Sequence, residues 1–247
     1  RVIPVFRKFA NLRMILLPYV LDQVRLSSKS GLPLMKIMGL AYPHDPVCRK
    51  YASQYFFGED LLVAPVTSEG TEDLPIYLPE GNWRDFWTGQ IIEGPAEMVV
   101  NVPMDRIVVY QRQGSILPLN LNHTGELCTP VGNDCVHINN LTLVIFSDAD
   151  QITKQIMMAD SRSISLEVTP KANSSELMLE ISPSPVDLHL VIVSDEPKTV
   201  FIDGLLLNRR LDNTGLPANS CWTWSEKTGE IKIHLAAKAS KATIRIQ

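Results

Sequence analysis

Apolar residues near the start of the chain recur three and four positions apart: Phe6, Phe9, Leu12, Ile15, Leu16, Tyr19, Val20 and Val24. That spacing gathers them on one face of a helix and predicts one over 3–28. Pro18 falls inside the pattern and predicts a kink, because it has no N–H to give to the preceding turn. The polar run 27–31 ends the helix, and 33–38 reads as a short buried strand. Asp45-Pro46 then has the form of a helix start, with Asp as N-cap and Pro at the first helical position. The second helix is expected over 45–57, closed by Gly58 in the left-handed conformation.

From residue 61 the pattern changes. Short apolar or alternating runs, broken by Pro and Gly, follow at 61–66, 76–78, 98–102, 107–112, 141–146, 163–168, 176–181, 188–193, 199–202, 230–235 and 242–246. Many short strands with turns between them predict antiparallel β-sandwiches. The stretch 118–139 is rich in Asn, Gly and Thr, has little periodicity and reads as the linker between two β units.

Motifs stand in order along the first half. They are Leu16-Leu17-Pro18-Tyr19, Gly31-Leu32-Pro33-Leu34-Met35, Tyr42-Pro43-His44-Asp45, Gln54-Tyr55-Phe56-Phe57-Gly58, Val63-Ala64-Pro65-Val66, Trp87-Thr88-Gly89, Pro103-Met104-Asp105 and Arg112-Gln113-Gly114-Ser115-Ile116-Leu117-Pro118. In this order and spacing the segment resembles the C-terminal part of glycoside hydrolases of family 31, the α-glucosidases and α-xylosidases. The match is looser after Asn120. Ser147-Asp148-Ala149-Asp150-Gln151 lacks the glycine of the family's acidic turn, and Val108 stands where a proline is common.

The resemblance implies a mainly β fold, two antiparallel β-sandwich domains preceded by a helical remnant of a (β/α)8 barrel. It would make 1–58 the C-terminal end of the catalytic barrel, 59–120 a proximal β-sandwich and 121–247 a distal one. It implies the scaffold portion of a retaining α-glycosidase that hydrolyses terminal α-linked glucose or xylose. That chemistry needs a nucleophile and an acid flanking the scissile bond, and the resemblance places both carboxylates upstream of this chain. The fragment alone is then expected to be inactive, with its carbohydrate partner bound by the missing barrel. Arg1-Val2-Ile3-Pro4 is neither a signal peptide nor an initiator methionine, and is read as the start of a piece of a longer protein. The alternative reading is a stand-alone, non-catalytic carbohydrate-binding or interaction β-sandwich module, which would need coplanar exposed aromatics on one face.

Composition narrows the partners. The 247 residues carry a formal net charge of −4 with scattered basic residues, so no footprint for nucleic acid is present. No apolar run has the length of a membrane span. The apolar stripe of the first helix, if uncovered, favours self-association. A cytoplasmic and a secreted parent both fit the sequence.

The candidate carboxylate pairs are Glu59/Asp60, Glu72/Asp73, Asp85/Asp105 and Asp148/Asp150. All are assigned to turns or strand ends, and none is assigned catalysis. Trp83, Phe86 and Trp87 invite a sugar platform, but rings that flank a turn more often cap a core. Trp222 and Trp224 are read as facing opposite sides of a sheet, the exposed one being the better platform. His44, His123, His137, His189 and His234 are scattered, with His189 and His234 read as ordinary sheet residues. No glycine-rich phosphate loop and no metal-ligand spacing is visible, so no cofactor or metal is expected. Cys128 and Cys135 would be bonded in a secreted parent and free thiols otherwise. Asn122, Asn140 and Asn173 sit in glycosylation sequons that count only after secretion.

Overall fold

The stripe at the start of the chain folds as α1 (Val2–Ile15) and α2 (Leu17–Ser30), divided at Leu16. Pro18 lies in the first turn of α2, where its missing N–H is tolerated. Main-chain bonds from Leu16 to Leu12 and from Val20 to Leu16, both 2.9 Å, carry the helix across the break. Tyr19 is fully buried, whereas α1 has no buried residue and Phe6 is 73% exposed.

The computed structural model describes residues 2–127, 138–158, 160–171, 176–210, 221–238 and 240–247. They fall into two compact units, Arg1–Asp22 with Gly114–Gln247, and Gln23–Gln113.

The Gln23–Gln113 unit is built on a six-stranded sheet. Its strands are β1 (Met35–Ile37), β2 (Tyr55–Phe57), β3 (Leu61–Ala64), β4 (Asp73–Asp85), β5 (Ile91–Asn101) and β6 (Val108–Arg112), in the order β1-β2-β3-β6-β4-β5. The expected strand at 33–38 is shortened, because a single helical turn, α3 (Met38–Ala41), begins at Met38.

The helix expected over 45–57 does not form. Asp45 is not the N-cap: its Oδ1 accepts the Val47 N–H at 2.9 Å in a local turn, and Pro46 takes the N-cap position of the single 3-10 turn that follows, Val47–Lys50. The buried amide of Gln54 decides the outcome. Its Nε2 donates to the Tyr77 carbonyl at 2.9 Å and its Oε1 accepts the Tyr77 N–H at 2.8 Å, so it docks on β4 as a peptide group would. The aromatic run that follows suits a strand, and it forms β2. Gly58 takes the expected positive φ, +70°, but in the β2–β3 turn, where its N–H donates to Leu34 O at 2.8 Å.

β4 and β5 make a long hairpin with a bulge between Leu78 and Gly81. Gly94 lies opposite the bulge, where a Cβ would come within 2.0 Å of the Pro79 carbonyl oxygen. Phe56, Ile76, Leu78, Trp83 and Tyr110 form the centre of this unit's core. β5 lies at the sheet edge and alternates exposed and half-buried positions along its length, Ile91 and Val99 among the exposed.

The other unit is a sandwich of two six-stranded sheets over one core. One sheet holds β7 (Ser115–Leu119), β8 (Asn140–Phe146), β12 (Asp187–Val193), β15 (Asn208–Arg210), β16 (Cys221–Ser225) and β17 (Glu230–Leu235), in the order β15-β16-β17-β12-β8-β7. The second holds β9 (Ile152–Met157), β10 (Ser163–Pro170), β11 (Leu177–Ile181), β13 (Val200–Ile202), β14 (Leu205–Leu206) and β18 (Ala242–Ile246), in the order β14-β13-β18-β11-β10-β9. Leu143, Ile145, Leu190, Ile192, Ile231 and Ile233 from the first pack with Ile156, Leu166, Leu179 and Ile244 from the second. β8 and β12 run parallel, as do β15 and β16, against the antiparallel rule elsewhere. The chain between β8 and β12 crosses to the other sheet as β9–β11, which supplies the long connection a parallel pair needs.

β7 pairs with β8, so the strand of the Gly114-Ser115-Ile116 motif belongs with this sandwich and the change of unit comes at Gly114. The start of α2 is fixed in the same unit. Lys154 of β9 pairs with Asp22 at 3.2 Å and lies 5.7 Å over the Tyr19 ring. No helix among the described residues is long and apolar enough to cross a membrane.

Candidate functional site

Each carboxylate that the sequence singles out has a local setting. Asp85 closes the turn after β4, its Oδ1 accepting the N–H groups of Trp87 and Thr88 at 2.8 and 2.7 Å and the Thr88 hydroxyl at 2.9 Å. Asp105 is exposed. Glu59 is half-exposed and pairs with the buried Lys36 of β1, while its N–H donates to Gln23 Oε1 at 2.9 Å. Asp60 is buried and its main-chain carbonyl accepts the Arg112 N–H at 2.8 Å. Glu72 and Asp73 are exposed at the start of β4. Asp148 accepts the Ala149 N–H at 2.7 Å in an exposed turn shared with Asp150.

The tryptophans are packed. Trp83 is 0% exposed, donates Nε1 to the Pro79 carbonyl at 2.7 Å and lies 5.9 Å from the Phe56 ring. Trp87 is half-buried and donates Nε1 to Ile107 O at 2.7 Å, with Phe86 edge-on at 5.3 Å. The expectation that Trp222 and Trp224 face opposite sides of a sheet is wrong. Residues two apart in a strand share a face, and both rings pack on the sandwich core. The Arg209 guanidinium lies 5.4 Å from the Trp222 ring. None of the four tryptophans is exposed.

Three histidines that the sequence leaves scattered come together. His189 on β12 faces His234 on β17, and His123 stacks on His234 with ring centroids 4.9 Å apart. His189 is buried beside Thr142, and burial, followed by the positive field of Lys232 and the neighbouring histidines His234 and His123, pushes its pKa down to about 4. His44 is exposed, and His137 lies outside the described residues. Among the described residues no group of three His, Cys, Asp or Glu is placed to hold a metal ion.

A cleft of about 220 Å³ opens between the ends of β11, β13 and β18, lined by Ser184, Leu188, Asp203, Leu205 and Lys238 among others. Asp203 pairs with Lys238 and accepts the Thr243 N–H at 2.9 Å, which together hold its carboxyl below the usual range. The cleft is smaller than the roughly 300–1,000 Å³ usual for drug-sized ligands and has no aromatic wall. Cys48 and Cys221 are buried free thiols. Cys128, Cys135 and Asn173 lie outside the described residues. Asn122 is half-buried, its Oδ1 accepting from the Thr124 and Glu126 N–H groups of its own turn at 3.0 and 2.9 Å, and Asn140 opens β8.

Residues 31–117 match the family model of the glycosyl hydrolase family 31 C-terminal domain. Over those residues the chain is similar to the C-terminal region of family 31 enzymes. It is 29% identical over 252 residues to an isomaltosyltransferase of Sporosarcina globispora, a match that covers 97% of this chain and 22% of that protein. With the sulfoquinovosidase of Escherichia coli K12 it shares 40% identity over 110 residues, 44% of this chain and 16% of that enzyme. The cycloalternan-forming enzyme of Listeria monocytogenes, solved with a pentasaccharide substrate, superimposes with a TM-score of 0.90 at 27% identity, over 99% of this chain and 23% of that one. The chain thus spans 22% and 16% of the lengths of these two curated family 31 relatives.

Proposed function

We propose that the chain is the C-terminal scaffold of a retaining α-glycosidase that acts on terminal α-linked glucose or xylose, with both catalytic carboxylates upstream. The observation that carries this reading is the fit of nearly the whole chain, at a TM-score of 0.90, to less than a quarter of an oligosaccharide-processing enzyme. In this reading the first 58 residues end the catalytic barrel and the β units buttress it. The exposed Val2, Ile3 and Phe6 of α1 then belong against barrel surface, and without it they drive self-association of the isolated chain. The acidic residues in the turns need no catalytic role, since each has a partner or faces solvent.

A second reading refines the substrate. The isomaltosyltransferase match runs through the distal sandwich, where the sulfoquinovosidase match covers less than half of the chain. This favours α-glucans bearing isomaltosyl units, with transfer to a sugar acceptor competing with hydrolysis.

The test is turnover of aryl α-glucosides and α-xylosides by the chain alone and by the chain joined to its upstream segment. The joined protein should turn over and the chain alone should not. Robust turnover by the purified chain would overturn the proposal. Incubation of the joined protein with isomaltose or panose separates the two readings, longer oligosaccharides marking transfer and free glucose alone marking hydrolysis.

A further inference from the structure

The cleft at the end of the distal sandwich has an apolar floor and a charged lip. Ile181, Leu188, Ile202 and Leu235 line the floor, and none of them is more than 6% exposed. Leu205 of β14 also lines the cleft and is 73% exposed. A cavity of about 150 Å³ is enough to hold a benzene molecule. At about 220 Å³ the cleft therefore accommodates one six-membered ring with its substituents.

The lip is fixed in place by the backbone around it. Asp203 and Gly204 join β13 to β14 with φ of +50° and +81°, both positive as a type I′ hairpin turn requires. Asp203 Oδ1 accepts the Thr243 N–H at 2.9 Å, and the Asp203 N–H donates to Thr243 O at 2.8 Å. Lys238 is held by paired main-chain bonds with Ser184, 2.9 Å in each direction. Its ammonium pairs with Asp203 Oδ2, and the two side chains remain 37% and 34% exposed. Such a pre-set arrangement lowers the ordering cost of binding.

That ion pair selects a ligand by charge. The carboxylate repels an anion and the ammonium repels a cation. A neutral hydroxyl can donate to the first or accept from the second, and the ammonium has more donors than Asp203 alone uses. Two adjacent hydroxyls would therefore engage both groups at once. The floor asks for a C–H surface on the same molecule, since it offers no hydrogen-bonding side chain. A pyranose meets both conditions, with vicinal hydroxyls at its rim and C–H groups on its face.

We propose that this cleft binds a single neutral pyranose, with two adjacent hydroxyls on Asp203 and Lys238 and its C–H face toward the apolar floor and Leu205. Binding makes and breaks no covalent bond. The site has no aromatic platform, so its affinity is expected in the millimolar range. The choice of an α-glucoside as probe rests on the proposed function, whereas the chemistry of the cleft does not. Binding is read without turnover, so a failure here leaves the glycosidase reading to its own test.

Saturation-transfer NMR of the full chain with methyl α-D-glucopyranoside tests the site, and it reads weak binding even when the protein self-associates. A dissociation constant of roughly 1–10 mM is expected. Lys238→Met keeps the stem and removes the ammonium, and it should weaken binding at least about fivefold. Leu205→Ala removes exposed apolar contact without touching the core, should weaken binding by a similar factor, and carries the test if the first variant folds poorly. Cyclohexanol, a ring of the same size with one hydroxyl, should bind at least about fivefold more weakly than the sugar. No transfer at about 20 mM probe would overturn the site. So would unchanged binding in a folded variant, or cyclohexanol competing as well as the sugar.

Discussion

Asn120 gives its backbone N–H to the carbonyl of Ile15 at 2.8 Å, and its side-chain amide reaches the Met14 carbonyl at 3.4 Å. Pro18 is the reason these acceptors matter. The Met14 carbonyl would take the N–H of residue 18 in an unbroken helix, and proline has none to give. The end of β7 therefore completes the hydrogen bonding of the helix kink.

Asn120→Ala should cost about 1 kcal/mol, because it leaves the half-buried Met14 carbonyl without its amide donor. In a Pro18→Ala background the helix can supply its own donor, so the same substitution should cost less. A double-mutant cycle by urea unfolding reads the difference, expected at about 0.5 kcal/mol or more. Strict additivity would mean that Asn120 acts elsewhere.

Trp83→Ala should destabilise the chain by about 3–5 kcal/mol, as large-to-small core changes do, because the ring is 0% exposed. Trp83→Phe should cost less, but still leave the Pro79 carbonyl without its donor. Unaltered stability with altered sugar binding would instead mark the ring as a platform.

Gly94→Ala and Gly39→Ala should part in sign or size. A Cβ at Gly94 meets Pro79 O at 2.0 Å and Leu78 O at 2.9 Å, main-chain atoms of the β4 bulge that cannot step aside singly. A loss of at least about 2 kcal/mol is expected. At Gly39 the nearest atom is Arg49 Cγ at 3.6 Å, within the helical turn of α3, so alanine should be neutral or slightly stabilising. Thermal melts of the two variants side by side give the comparison.

His189 makes stability depend on pH with a defined sign. Its folded pKa is about 4 against an ordinary 6.5, so between these values the unfolded chain binds the proton that the folded chain refuses. The contribution is fully present above about pH 6.5 and is lost as pH falls toward 4, by up to about 3 kcal/mol. His189→Val, matched to its neighbours on β12, should flatten that slope in denaturant titrations at several pH values. A native chain that gained stability on acidification through this window would contradict the assignment.

Burial periodicity makes the first helix and the change to strands after 60 readable, since it depends only on which face meets a core. The region 45–57 is not readable in the same way. Asp45 still takes the Val47 N–H, but the helix yields to two bonds between Gln54 and the Tyr77 backbone, 23 residues along the chain. The place of Trp83 beside a turn is enough to mark it as a core residue. For Trp222 and Trp224 the spacing of two already puts both rings on one face, so the expectation of opposite faces fails on strand geometry alone. The histidine stack has no local signature at all, because it joins a turn residue to two strands that are distant in sequence and meet only in the folded sheet.

β5 presents an open backbone edge with Ile91 and Val99 outward, the template on which a second chain would add a strand. Its own residues guard it. Pro95 cannot donate to a new ladder, and Glu93 and Glu97 would set a carboxylate on either side of it, like charges meeting wherever two copies aligned. Glu97 is also held by the Tyr51 hydroxyl at 2.7 Å, which keeps that charge stationed near the edge. The hairpin can therefore be long and half-apolar and still resist growth into a fibril.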